Sequence, residues 1–260
     1  MHSCTVRVST ASPVTAAIQT PLVSALDHVI WSVANLDDAV DRLTRRMGFP
    51  IAPAAPAHPR ALRTATVAIG DLPVRLVERA EWHASQPIGL AMRSDLPLTD
   101  VEAEADARGL HGSGIFMIAG KPRGNIACYA LSGILAPGDP GLLVVQYMMG
   151  DTSTNHSGAE PRLHGGSPLG IARDVRAQVD VASAASMSRW RKVLCDRVPP
   201  GLVLRAGERD GLSALLLRAA NLWNLQTVWK DAGVDCALSN RRLLVHPSQT
   251  GGLPIEVEEG

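Results

Sequence analysis

Leu26–Phe49 reads LDHVIWSVANLDDAVDRLTRRMGF. From Ala25 to Val33 β-branched and aromatic residues predominate, which predicts a strand. Alternation puts His28, Ile30 and Ser32 on one face and Val29, Trp31 and Val33 on the other. Asn35 is placed to cap a following helix, with Asp37 and Asp38 in the first turn, where carboxylates meet the positive end of the dipole. Leu36, Val40, Leu43 and Met47 then recur at helical spacing, and Gly48 stops the pattern. Pro50, Pro53, Pro56 and Pro59 make the next stretch a loop. Thr64–Ile69 and Val74–Glu78, on either side of a turn at Gly70-Asp71, supply two more strands. The unit is β-α-β-β, with a short extra strand near Ile51.

The pattern recurs along the chain. Pro87–Met92 predicts a strand. Thr99 with Glu102 three residues on forms a capping-box pair for a helix that ends at Gly109. Ile115–Ile118, Asn125–Leu131 and Leu142–Met148 follow as strands. A third unit opens at Val175–Val181, with a helix through Trp190 and Leu194. A fourth opens at Ala214–Arg218. Its helix carries Leu222, Leu225, Val228 and Trp229 on one face and ends at Gly233; Arg242–Val245 and Pro254–Val257 close it. A single unit has one curved sheet and one helix, so it needs a partner to bury its inner face. Paired units give an α+β protein of two half-barrels. Residues 1–24 read as an arm, 25–150 as the first half, 151–169 as a Gly/Ser-rich linker and 170–260 as the second half.

Composition narrows the function. The chain has 260 residues, 25 Lys+Arg against 25 Asp+Glu, and 46% hydrophobic residues. With no excess of positive charge, nucleic acid is not expected as a partner. No apolar run approaches the length of a membrane helix. The first twenty residues lack a basic start and an apolar core, so they do not read as a signal peptide. The four cysteines, Cys4, Cys128, Cys195 and Cys236, form no metal-binding spacing. They read as free thiols in a reducing cytoplasm.

Leu26–Phe49 also resembles the opening of the vicinal oxygen chelate superfamily, which includes glyoxalases, extradiol dioxygenases and bleomycin-resistance proteins. His58 and Thr64 resemble the glyoxalase-like branch, although Arg63 stands for its glycine and Thr66 for its asparagine. PRGNIACYAL (122–131), PGDPGLLVVQ (137–146) and LHGGSPLGI (163–171) look similar to the same branch. RLLVHPSQTGGLPIEVEE (242–259) is similar to the superfamily's closing motif. The resemblance spans roughly residues 25 to 259. It implies half-barrels built from paired βαββ(β) modules, a small-molecule substrate and commonly a homodimer.

The resemblance also implies a site. His28 falls at the first-strand ligand position and Glu256 at the closing-strand one; Gln146 is a third candidate. Nitrogen and oxygen donors of this kind suit a divalent ion such as Mn, Fe, Ni or Zn. Such an ion would stabilise an enolate in a lyase or isomerase reaction. The first module's glutamate position aligns with Arg75, while Glu78 is out of phase with it. Arg176 or Gln178 falls where the third module would carry histidine. Arg75, facing the cleft, would need an anionic partner, either a substrate carboxylate or enolate or a structural acid. His28, Arg75 and Gln146 are therefore the expected catalytic residues, and His28, Gln146 and Glu256 the expected metal ligands. His58 and His164 are candidates to line the cleft, while His2, His83, His111 and His156 are expected at the surface. His28 and Glu256 share one cleft only if the first and last modules pair. The alternative is a metal-free protein that sequesters a small molecule.

Overall fold

The computed structural model describes residues 19–52, 62–79, 86–118, 125–135, 141–148 and 169–260. The first module runs β1 (Ala25–Val33), α1 (Leu36–Asp41, continued by a π-helical turn at Arg42–Arg46), β2 (Thr64–Ile69) and β3 (Leu72–Glu78). The second runs β4 (Gln86–Arg93), α2 (Leu98–Ala107), β5 (Gly112–Ile118), β6 (Ile126–Leu131) and β7 (Leu142–Tyr147). The third has β8 (Arg176–Val181), α3 (Ala184–Leu194) and β9 (Leu202–Ala206). The fourth has β10 (Gly211–Ala219), α4 (Leu222–Asp231), β11 (Cys236–Ser239), β12 (Arg242–Val245) and β13 (Ile255–Glu259). The extra strand expected near Ile51 is a single bridge from Ile51 to Val67. The linker at 151–168, and with it His58, His83, His156 and His164, lies outside the described residues, as do His2 and Cys4.

Modules pair in sequence order. A seven-stranded sheet, β2-β3-β1-β4-β7-β6-β5, joins the first two through antiparallel β1 and β4. A six-stranded sheet, β11-β12-β13-β10-β8-β9, joins the last two through antiparallel β10 and β8. The architecture is thus α+β, with paired βαββ(β) modules making two curved half-barrels.

The helices decide how the sheets meet. Val29, Trp31, Val33, Val74, Leu76, Leu90 and Met92 of the first sheet join one continuous core with Ala177, Val179, Leu215, Leu217, Ile255 and Val257 of the second. Trp190 and Trp229, from α3 and α4, belong to it too. The helix-bearing faces of both sheets therefore press together, and the concave faces turn away from each other. Polar bonds cross this seam. Trp31 Nε1 donates to the Gly251 carbonyl at 3.1 Å and Trp229 Nε1 to the Met47 carbonyl at 3.3 Å. Leu22 N donates to Val193 O at 2.8 Å and Asp71 N to Arg173 O at 2.7 Å. Gly70 makes the last contact possible: it has φ +59°, and a Cβ there would lie 2.6 Å from the Arg173 carbonyl.

Two local expectations change. Thr99 is not the cap of α2; the helix starts at Leu98 after Pro97, with Thr99 inside its first turn. The Leu98 N–H instead finds Gln146 Oε1 on β7, in a long bond of 3.4 Å. Proline at the boundary fixes the extended entry, so the cap is supplied from the neighbouring sheet. The strands β9 and β11, absent from the sequence reading, complete the second sheet.

Trp229 is fully buried and meets Phe49 edge-on, with ring centroids 6.3 Å apart. Trp229→Ala removes that contact and the Met47 bond together. It should cost about 3–5 kcal/mol, read as a lowered midpoint in urea denaturation.

Candidate functional site

Strand alternation settles which side chains leave the core. With Val29, Trp31 and Val33 on the helix side, His28, Ile30 and Ser32 lie on the concave face of the first sheet. Asp27 should point the other way, but the β1–β4 register slips between Leu26 and His28. This β-bulge inserts one extra residue, so Asp27 and His28 project into the cleft side by side. Both are buried, at 8% and 4% exposure.

A polar cluster forms around this bulge. Asp27 Oδ1 bonds His28 Nδ1 at 2.7 Å and accepts from Tyr147 Oη at 2.8 Å. Arg93 Nε stands 3.7 Å from Asp27 Oδ2. Burial pushes the Asp27 carboxyl up, but the His28 bond and charge, the Tyr147 hydroxyl and the Arg93 charge outweigh it. The net effect holds the carboxyl below its ordinary value of 3.8. An ionised Asp27 fixes the hydrogen on Nδ1 of His28 and leaves Nε2 as the free acceptor. Nε2 makes no hydrogen bond among the described residues.

The rest of this face is apolar. Ala91, Cys128 and Val145 form a small buried cluster, flanked by Ile126, Leu143 and Tyr147. Burial pushes the Cys128 thiol up to about 11, while the Arg75 charge pulls it back. Arg75 on β3 and Cys128 on β6 are separated by three intervening strands. Arg75 pairs in register with Ile30 of β1, so by alternation it shares the cleft face with His28.

Gln146 takes the opposite face. Val145 and Tyr147 line the cleft, so Gln146 points to the helix side, where it holds the start of α2. Glu78 also faces the helix side and accepts from the Leu36 N–H at 3.0 Å, at the start of α1. Glu256 lies on the concave face of the second sheet, apart from His28, and pairs with Arg242 at 3.4 Å. Its surroundings are internally neutralised. Glu258 meets Arg242 at 2.6 Å and Arg176 at 3.8 Å, and Asp180 meets Arg205 at 3.1 Å. Gln178 Nε2 donates to Ser213 Oγ at 2.9 Å. His111 and His246 are exposed.

The structure thus brings His28 and Arg75 together and sends Gln146 and Glu256 elsewhere. Asp27, Arg93 and Tyr147 are the site residues the sequence reading missed. Tyr147 carried no phase signal, because Leu142 to Val145 are apolar on both faces. The donor set also bears on a metal. Among the described residues no three His, Cys, Asp or Glu side chains cluster as ligands. His28 offers one free nitrogen, Asp27 is already engaged by His28, Tyr147 and Arg93, and two guanidiniums stand nearby. These described residues do not fit a resident divalent ion.

No family model matches the chain, and no curated protein does. Solved structures do. A catechol 2,3-dioxygenase matches with TM-score 0.58 and 11% identity over 92% of this chain and 88% of its own. The 2,3-dioxygenase LapB from Pseudomonas sp. KL28 matches with TM-score 0.57 and 13% identity, covering 92% of each chain. The Mn(II)-bound glyoxalase from Novosphingobium aromaticivorans matches with TM-score 0.59 and 11% identity over 91% of this chain and 82% of its own. The chain has the fold of the vicinal oxygen chelate superfamily.

The depressed carboxyl gives a pH signature. Its stabilising contribution is present above the unfolded-chain value of 3.8 and is lost as pH falls through the lower folded value. Asp27→Asn should cost about 1–3 kcal/mol near neutral pH. Its deficit against the wild type should shrink in acid, as read by urea denaturation across pH.

Proposed function

We propose that the chain is a small-molecule enzyme of the vicinal oxygen chelate type, working in the cleft of the first sheet. The reaction is a lyase or isomerase step that begins with proton abstraction. The observation that carries this reading is the buried Asp27–His28 pair, with Nδ1 tied at 2.7 Å and Nε2 without a hydrogen-bond partner among the described residues.

In this reading Nε2 of His28 takes a proton from a carbon beside a substrate carbonyl. The C–H electron pair moves onto the carbonyl oxygen as an enolate. Asp27 keeps the ring oriented and stabilises the imidazolium that forms. Tyr147 and Arg93 hold Asp27 ionised. The proton then returns to a different position for an isomerisation, or protonates a departing group for an elimination. Divalent metals are at home in this fold, as in the Mn(II)-bound glyoxalase. The described residues of this chain supply no ligand set for one, so no step is assigned to an ion. The same proposal has the chain act in the cytoplasm as a homodimer on a small molecule. No described helix is long and apolar enough to cross a membrane.

A second reading rests on the same cleft. Its apolar strip, Ala91, Cys128 and Val145, suits a protein that binds a small molecule without changing it. Deuterium exchange separates the two. In heavy water, the wild type should exchange the acidic C–H of a compound drawn from small oxo acids and hydroxyketones, followed by NMR. His28→Ala should slow that exchange about 10²- to 10⁴-fold, and Asp27→Asn by less. A wild type that binds without exchanging hydrogen leaves sequestration as the function. Undiminished exchange in His28→Ala removes the pair from the mechanism.

A further inference from the structure

The cleft of the first sheet holds a cation without an acid among the described residues. Arg75 is half-buried on β3, opposite Ile30 of β1 and Thr66 of β2. It has no hydrogen bond and no ion pair among the described residues. Four other described arginines on the concave sides differ. Arg93 stands by Asp27, Arg176 by Glu258, Arg205 by Asp180, and Arg242 by Glu256 and Glu258. A guanidinium kept partly out of water with no acceptor loses solvation and gains nothing inside the protein. Arg75 is also a cation on the cleft face, because it stands in register with Ile30 of β1.

We propose that Arg75 is the anchor for the carboxylate of a small organic acid with an apolar body. This deepens the function proposed above and rests on the same cleft. Position supports it. His28 lies two residues from Ile30 along β1, so the Cα atoms of His28 and Arg75 are about 8 Å apart on one face. An acid whose carboxylate sits on Arg75 can place a carbon one or two bonds away near His28 Nε2. The guanidinium offers a paired set of N–H donors that matches both oxygens of a carboxylate. The apolar body of the acid would lie along Ile30, which is only partly buried. An enolate formed beside that carboxylate would also be stabilised by the same cation.

Benzoate and its neutral isostere benzamide test the proposal. The probe is the full-length protein with labelled isoleucine and alanine methyls, titrated by NMR, with Ile30 and Ala91 reporting on the cleft. Benzoate should shift both methyls saturably, with a Kd about tenfold or more below that of benzamide. Arg75→Gln should bring the two Kd values to within about twofold of each other, and Arg75→Lys should keep part of the preference. An unchanged melting temperature in Arg75→Gln excludes misfolding as the cause; if that variant melts early, Arg75→Lys and the wild-type ratio carry the test. Equal Kd values in the wild type, or no saturable benzoate shift at Ile30 and Ala91, overturn the proposal. Exchange at His28 reads proton transfer and this titration reads charge recognition, so either can fail alone.

Discussion

The seam between the two helix-bearing faces sets everything else in this molecule. Each module makes a strand-helix-strand unit whose helix side is apolar, and one unit cannot cover that side by itself. Sequential pairing through β1–β4 and β8–β10 widens each sheet but leaves the apolar side open. Only when the two sheets press together is it closed, around Trp31, Trp190 and Trp229. Hydrophobic burial drives this contact. Two indole N–H groups keep it specific, because a buried donor must find an acceptor, and those of Trp31 and Trp229 each find a carbonyl of the other half.

Because the helix faces are used up in the seam, chemistry is confined to the concave faces, and these have diverged. In the second half-barrel the acids Asp180, Glu256 and Glu258 each face an arginine, so the surface is neutralised from within. In the first, one carboxylate is shared by a histidine, a tyrosine and an arginine, and a second arginine has no acid among the described residues. In the former arrangement, the described charges are spent on one another. The latter leaves an imidazole nitrogen and a cation without partners among the described residues, beside an apolar strip. Like backbones therefore carry unlike prospects, and the difference lies in side-chain charge balance rather than in fold.

Much of the fold was legible. Ala25–Val33, Thr64–Ile69 and Arg242–Val245 are strands with the bounds their residue types suggest. Strong periodicity with clear punctuation made them so. The short strands β9 and β11, of five and four residues, carry too little pattern to stand out. The site was legible in part. His28 and Arg75 follow from alternation on strands whose opposite face is plainly apolar. Gln146 and Tyr147 do not, because Leu142 to Val145 give no hint of which face is inside. Glu256 was read onto the correct strand, but the pairing of modules decides its neighbours, and pairing is a long-range property. Asp27 was invisible for a different reason: alternation assigns it to the core side, and the bulge overrules alternation.

That bulge ties the cleft to chain length. Two consecutive residues share one wall only because the strand is one residue out of step with its partner at Asp27. Deleting a single residue there would restore even stepping. The segment before it would keep its facing, because Leu26 pairs with Met92 and His28 with the next residue, Ala91, but the carboxylate and imidazole could no longer stand side by side. The pair is thus encoded in the count of residues between Ala25 and Ile30 as much as in their identity. A chain carrying the same Asp-His dipeptide on an evenly paired strand would present one of the two to the cleft and bury the other.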